Sequence, residues 1–280
     1  MFDQRVGTIK AKGWRYDLER YALRFALGGM VIVAIAFISI PIASLFLRID
    51  LQDFLASLSD PAVIDALWLS LLTATASTAI VLAFGTPIAY LNAHNNYWGR
   101  AIVDTITDIP AVLPPAVAGL ALLMAFGRRG VLGQYFHLFG IDIAFTTTAV
   151  VLAQVFVASP FYIRQARISF QSVDSQFEDA ARTMGSSRLR TFSRISLPLA
   201  SAGLLSGAIM AWARALGEFG ATIMFAGNMP GKTQTMPLAI YTSLEGDLTP
   251  ALSISIILVA ISFGVILAVK FLGRRMPNAS

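Results

Sequence analysis

Residues 25–47 read FALGGMVIVAIAFISIPIASLFL, 23 positions without a charged side chain, closed off by Arg24 before and Arg48 after. A helix needs about 20 consecutive apolar residues to cross a bilayer, so this stretch is long enough to span. It is too long for the core of a cleaved signal peptide, which runs about 7–15 residues, and a permanent anchor is expected. Five further apolar runs follow at 66–91, 109–126, 143–163, 197–216 and 251–272, the third short and rich in proline. None shows sustained period-two alternation, so strands are not expected. The composition agrees: of 280 residues 56% are hydrophobic and 13% charged, against about 25% charged in soluble domains. With no cysteine, disulfides, thiol nucleophiles and iron–sulfur ligation are excluded. The expected architecture is an all-α, polytopic membrane protein with six transmembrane helices.

Lysine and arginine orient the runs. With the N-terminus in the cytoplasm, 16 of the 21 basic residues fall on the cytoplasmic side: in the leader 1–24, the loop 92–108, the loop 164–196 and the C-terminal end. Only Arg48, Arg128, Arg129 and Lys232 fall outside, and Arg214 sits within the fifth run. Both termini are therefore expected in the cytoplasm. The formal charge of +5 is then a membrane-orientation signal, and no nucleic-acid partner is implied.

Within the runs, ionisable residues are scarce. Arg214 and Glu218 are four apart and meet on one helix turn, either as an ion pair at a helix end or as charge at the outer mouth of a pathway, with Thr222 close behind. Residues 219–227 are apolar but too few to cross, as in a re-entrant segment. Ser70, Thr73 and Ser77 share a helix face; they serve either close helix packing or a polar lining for a solute. His94 and His137 fall on opposite sides of the membrane and cannot share a metal. No nucleophile elbow, phosphate-binding loop or dinucleotide turn is present, so no catalytic residue, metal or cofactor is expected in this chain.

The longest cytoplasmic connection fits either an amphipathic loop lying on the bilayer or a short helix that docks into a groove on a partner. Residues 172–198 read SVDSQFEDAARTMGSSRLRTFSRISLP. Ser175 and Glu178 have capping-box spacing, and Phe177, Ala180, Ala181 and Met184 make a short apolar face. Gly185 is placed to end the helix, Ser186 or Ser187 to start another, and Pro198 to sit in the first turn of the fifth span.

The series Asp179-Ala180-Ala181, three residues, Gly185, nine residues, Ile195, one residue, Leu197-Pro198 closely resembles the coupling loop of ATP-binding-cassette importer permeases. That family's pattern is E-A-A-x(3)-G-x(9)-I-x-L-P. The departure is Asp179 in place of glutamate, with Glu178 just before it, so either residue is a candidate for the family's acidic contact. The loop also falls between the fourth and fifth spans, as in the family. The resemblance implies the type I importer permease fold, divided into a basic leader 1–24, an anchor 25–47, a permease core 66–272 with the coupling loop 164–196, and a tail 273–280. No regulatory domain is expected after Arg275. The resemblance further implies a homodimer in the cytoplasmic membrane of a prokaryote, surrounded by lipid. Its partners would be a separate cytoplasmic ATPase dimer, which carries ATP and Mg, and an extracytoplasmic oxyanion-binding protein. Glu178, Asp179, Ala180, Ala181, Gly185, Ile195, Leu197 and Pro198 would then couple to the ATPase.

Residues 213–222 and 226–241 resemble the oxyanion branch of this family. Val112-Leu113-Pro114-Pro115 and Phe126-Gly127-Arg128-Arg129-Gly130 look most like its molybdate members. The resemblance implies molybdate or tungstate as cargo, with sulfate or thiosulfate as the alternative. The outer-side basic residues fit either attraction of a dianion or docking of an acidic partner. An ion-coupled carrier would need midplane ionisable groups and inverted repeats, and a membrane enzyme a catalytic cluster; neither is visible.

Overall fold

The computed structural model describes residues 3–275, with side-chain surroundings for Tyr21 and for residues 23–267. The last residues of the expected tail, 276–280, and the first two of the leader lie outside the described residues. The chain falls into two units, residues 1–50 and 51–280.

The first unit is one helix, α1 (Asp3–Leu47), so leader and anchor are continuous rather than separate segments. Its apolar part, Leu23–Leu47, has no buried residue within the chain. Phe25, Ile32 and Phe37 stand out on all sides, between 69% and 81% exposed. A helix that is apolar all round belongs in a lipid or protein environment.

The second unit holds α2 (Leu51–Ser57), α3 (Pro61–His94), α4 (Arg100–Val112), α5 (Pro115–Phe126), α6 (Gly133–Leu138) and α7 (Thr147–Gln171). After these come α8 (Ser175–Thr183), α9 (Arg188–Thr191), a π-helical turn (Phe192–Ser196), α10 (Leu197–Leu216), α11 (Gly220–Ala226), α12 (Met236–Leu244) and α13 (Leu248–Arg275). Local chemistry sets several boundaries. Asp60 caps α3 by accepting from the Ala62 N–H at 2.9 Å, and Pro61 opens the helix. Thr146 caps α7 by accepting from the Ala149 N–H. At 34 residues α3 is about 51 Å long, from a rise of about 1.5 Å per residue. It therefore outruns a hydrocarbon core of about 30 Å.

Buried α7 is the centre of the unit, with α3 and α10 packed against it. Lipid supplies no hydrophobic drive between helices, so close approach through small residues takes its place. A Cβ on Gly85 of α3 would lie 2.9 Å from the Tyr162 ring, and one on Gly203 of α10 would overlap the Ser169 hydroxyl. A second core joins α5, the first half of α7 and α11 through Ala118, Leu122, Val150, Val157 and Phe225.

Among the described residues, five helices are long and apolar enough to cross a membrane, and a sixth crossing exists only if α4 and α5 count together. The expected third span, 109–126, is not a single helix. The chain breaks at Leu113–Pro114, and α4 and α5 meet at 116°. Pro114 holds Leu113 extended (φ −64°, ψ 136°), as a proline does to the residue before it. Pro114 and Pro115 also remove two helix donors. The fifth run matches α10 end for end. Within residues 219–227, Gly220–Ala226 form the seven-residue α11, packed on α5 and α7.

Candidate functional site: the coupling loop and the Arg214 recess

The loop is built as two short helices on a glycine hinge. Its N-cap is Asp174, which accepts from the Gln176 N–H at 2.9 Å, and not Ser175. The expected Ser175–Glu178 capping box does not form, because the aspartate takes the cap. Glu178 turns inward instead and is 2% exposed. One carboxylate oxygen accepts from the Ser196 hydroxyl and lies 3.1 Å from His94 Nε2, and the other accepts from Arg182 Nη2 at 3.2 Å. Glu178 thus ties α8 to the last residue before α10 and to the end of α3.

Asp179 points the other way. Its side chain is 70% exposed, with only a loose 3.9 Å approach to Arg182. Ala181 is buried beside Glu178, while Phe177, Ala180 and Met184 stand exposed. The apolar face is therefore divided: Ala181 faces in, and the other three face out with Asp179. Of the two candidate acids, Asp179 alone is free to meet another protein.

Gly185 has φ +81°. Its N–H donates to Arg182 O at 2.9 Å, and the Ser186 N–H to Ala181 O at 3.0 Å, the paired closure of a Schellman end. No atom crowds a Cβ placed there, so the left-handed backbone, not space, calls for glycine. Ser187 rather than Ser186 caps α9, accepting from the Arg190 N–H. The π turn carries half-buried Ile195 and runs straight into α10, with exposed Leu197 and Pro198 in its first turn. Such π segments are frequent at functional sites. Arg164 and Arg167, assigned to the loop from sequence, belong to the last turns of α7. They clamp α4: Arg167 meets Asp104 at 2.8 Å and Arg164 meets Asp108 at 3.0 Å, while buried Asn92 of α3 donates to Asp104 at 2.8 Å.

Sequence reasoning missed His94, Ser196 and Asp104. In sequence His94 reads only as a candidate metal ligand; its ring sits 4.4 Å from Tyr90 in an aromatic group with Phe170 and Phe192. No spacing rule links it to Glu178, 84 positions away. His137 lies in a separate network, 2.9 Å from Asp142.

The hydroxyl face of α3 is wholly buried. The Ser70 hydroxyl accepts from the Met236 N–H, Thr73 donates to Leu69 O, and Ser77 donates to Gln154 Oε1. Ser70 thus joins α3 to α12 and Ser77 joins it to α7, while Thr73 bonds back within α3. Thr222 is buried in α11, its hydroxyl without a partner among the described residues. Arg214 and Glu218 form their pair, Nη1 to Oε2 at 2.7 Å. Glu218 is 1% exposed, and its other oxygen accepts from the Ala221 N–H at 2.7 Å. The carboxylate of the pair is buried at the start of α11, while the Arg214 side chain is 30% exposed. Arg214 borders a cavity of about 150 Å³ at the α4–α5 break.

Residues 82–278 match the family model described as "Binding-protein-dependent transport system inner membrane component". The chain is 39% identical over 263 residues to the molybdenum transport system permease protein ModB of Mycobacterium tuberculosis, covering 93% of this chain and 96% of that one. It is 38% identical over 262 residues to the molybdate/tungstate transport system permease protein WtpB of Pyrococcus abyssi, covering 93% and 97%. Among solved structures, a chain of a bacterial ABC transporter that imports the acidic polysaccharide alginate shares the fold. Its TM-score is 0.72 at 17% identity, with 94% of this chain and 98% of that chain covered. This chain belongs to the family of inner-membrane components of binding-protein-dependent transport systems.

Proposed function

We propose that the chain is the permease subunit of an ATP-driven importer of molybdate and tungstate. Two copies line the path, both termini lie in the cytoplasm, a separate ATPase binds ATP and Mg, and an extracytoplasmic protein delivers the anion. The observation that carries this reading is the build of the coupling loop. Phe177, Asp179, Ala180 and Met184 present an outward face of the kind that enters a cleft on a partner. Behind that face, Glu178 fixes α8 to α10 and α3. A pull on α8 then moves the cytoplasmic ends of two long helices as one body, and closure of an ATPase dimer becomes a change of access in the path. Relatives named for molybdate and tungstate transport support the cargo.

The test is ATP hydrolysis by the reconstituted complex, stimulated by the binding protein loaded in turn with molybdate, tungstate and sulfate. Molybdate and tungstate are expected to stimulate, and sulfate weakly or not at all. Stimulation by sulfate alone would replace the cargo assignment. No stimulation by any of the three would remove the reading.

A further inference from the structure

The coupling reading leaves the recess beside Arg214 without a role. Its height follows from helix register. On α10, Gly203 faces Ser169 of α7 and Gly207 faces Tyr162 and Gln165. Two turns further, Arg214 reaches Val157 and Phe161, halfway along the 25 residues of α7. The guanidinium lies 6.0 Å from the centre of the Phe161 ring. The cavity walls are Pro110, Leu113, Pro115, Ala118, Val157 and Phe161, with Arg214 the one charged side chain among its lining residues.

The donors here outnumber the acceptors. A guanidinium is a planar fork of five N–H donors. Arg214 directs one nitrogen at Glu218, and its remaining donors have no protein partner among the described residues. The first turn of α5 forms another wall, and no side chain caps it, because its N-cap is Pro114. Pro115 has no N–H and the Ala118 N–H donates to Pro114 O at 3.0 Å, so this wall is apolar and Arg214 supplies the donors of the recess. By contrast, the neighbouring short helix α11 has an acid at its start, Glu218 on the Ala221 N–H. An arginine with open donors thus faces an apolar recess at mid-height, where ionisable residues mark solute routes.

We propose that this recess is a transient station for a tetrahedral oxyanion dianion on its way through the permease, with Arg214 as the residue that touches it. The proposal rests on the oxyanion cargo reading above and assigns it a residue. Two parallel guanidinium N–H groups match two oxygens of such an anion, as they match carboxylate or phosphate. Glu218 cancels the net charge of the arginine, so the anion is held weakly, and a conducting site has to release what it binds.

The test uses the permease–ATPase–binding-protein complex in proteoliposomes. With Arg214→Gln, uptake of molybdate is expected to fall at least tenfold, and ATP hydrolysed per anion moved to rise at least fivefold. Uptake at the wild-type rate overturns the proposal, as does an unchanged ratio of ATP to anion. Glu218→Gln keeps an oxygen for the Ala221 N–H and removes the opposing charge. This variant is expected to slow uptake several-fold, and in the tungstate-loaded complex to show a tungsten-edge anomalous peak within hydrogen-bond reach of Arg214. A Glu218→Gln complex that transports like wild type and shows no such peak also overturns it, and this arm decides alone if Arg214→Gln does not assemble. The two readings fail differently. If the wild-type complex moves no oxyanion, the cargo assignment falls; if wild type transports and Arg214→Gln matches it, only the station falls.

Discussion

Two buried glutamates each sit four residues from an arginine on the same stretch of chain, and they do different things. Glu178 is 2% exposed and Glu218 is 1% exposed. The carboxylate of Glu178 is saturated by Ser196, His94 and Arg182, contributed by three segments. Glu218 caps α11 with one oxygen and holds Arg214 with the other, and that arginine keeps open donors over a cavity. A saturated carboxylate locks elements into one body. A pair with unmet donors beside empty space is suited to something that arrives and leaves. The same four-residue spacing in sequence thus marks a strut in one place and a contact point in the other.

The sharpest way to break this contrast is to remove the strut. Glu178→Ala would leave the Ser196 hydroxyl, Arg182 Nη2 and His94 Nε2 without the carboxylate they share. Arg182 is half-exposed, so the cost is that of leaving the buried Ser196 hydroxyl and the His94 nitrogen unmet, about 1–3 kcal/mol. The expected result is a coupling loop that opens to proteolysis and loss of nearly all ATP-driven uptake. Glu178→Gln keeps an acceptor for the Ser196 hydroxyl and is expected to retain part of both. Protease sensitivity of the loop, measured beside uptake, checks this. Equal behaviour of the two variants and wild type would show that Glu178 is not a strut.

Gly185→Val comes next. A β-branched residue at φ +81° carries the left-handed penalty, roughly 1–2 kcal/mol, and the Schellman end is lost with it. Uptake is expected to fall about tenfold while ATP hydrolysis persists, so the ATP-to-anion ratio rises. Gly185→Asn tolerates the left-handed region better and is expected to lie between. Because nothing crowds that position, Gly185→Ala should follow the backbone penalty alone, well short of Val.

These sites differ in how far the sequence discloses them. Five of the apolar runs are legible because a bilayer imposes length and lack of charge on a continuous segment. The break at Leu113–Pro114 is less so: prolines are visible, but spans tolerate proline, and only packing against α7 and α11 fixes the 116° turn. In the loop, Gly185 is legible because φ > 0 leaves a residue-type signature. Glu178 misleads, because the capping-box spacing is satisfied on paper while Asp174, one place earlier than Ser175, takes the cap in the fold. His94 and Ser196 are invisible in sequence, since their link to Glu178 joins segments distant along the chain. The pairing of Arg214 with Glu218 follows from helix spacing, whereas its recess does not, because the walls come from α4, α5 and α7.

Asp179→Ala isolates the outward side of the same helix turn. Its side chain is 70% exposed, with only the 3.9 Å approach to Arg182 among the described residues, so stability is expected to stay within about 0.5 kcal/mol of wild type. Affinity for the ATPase is expected to weaken about tenfold, equivalent to about 1.4 kcal/mol. Co-purification and a thermal melt together separate the two acids: Asp179→Ala should move the first and not the second, and Glu178→Ala both.

The smallest effect concerns the hydroxyls of α3. Ser77 donates to Gln154 Oε1 at 2.9 Å and to Val151 O at 3.1 Å, fully buried between α3 and α7. Interhelical hydrogen bonds in membranes average about 0.6 kcal/mol, partly because separated helices find other partners. Ser77→Ala is therefore expected to lower thermal stability by about that amount and to leave the rate and anion preference of uptake unchanged. Arg214→Gln, which leaves buried Glu218 without its partner, should lower both uptake and the melt. If Ser77→Ala instead altered anion preference at constant stability, this face would open to the path in another conformation. The line between packing groups and contact groups, drawn here between α3 and the end of α10, would then have to move.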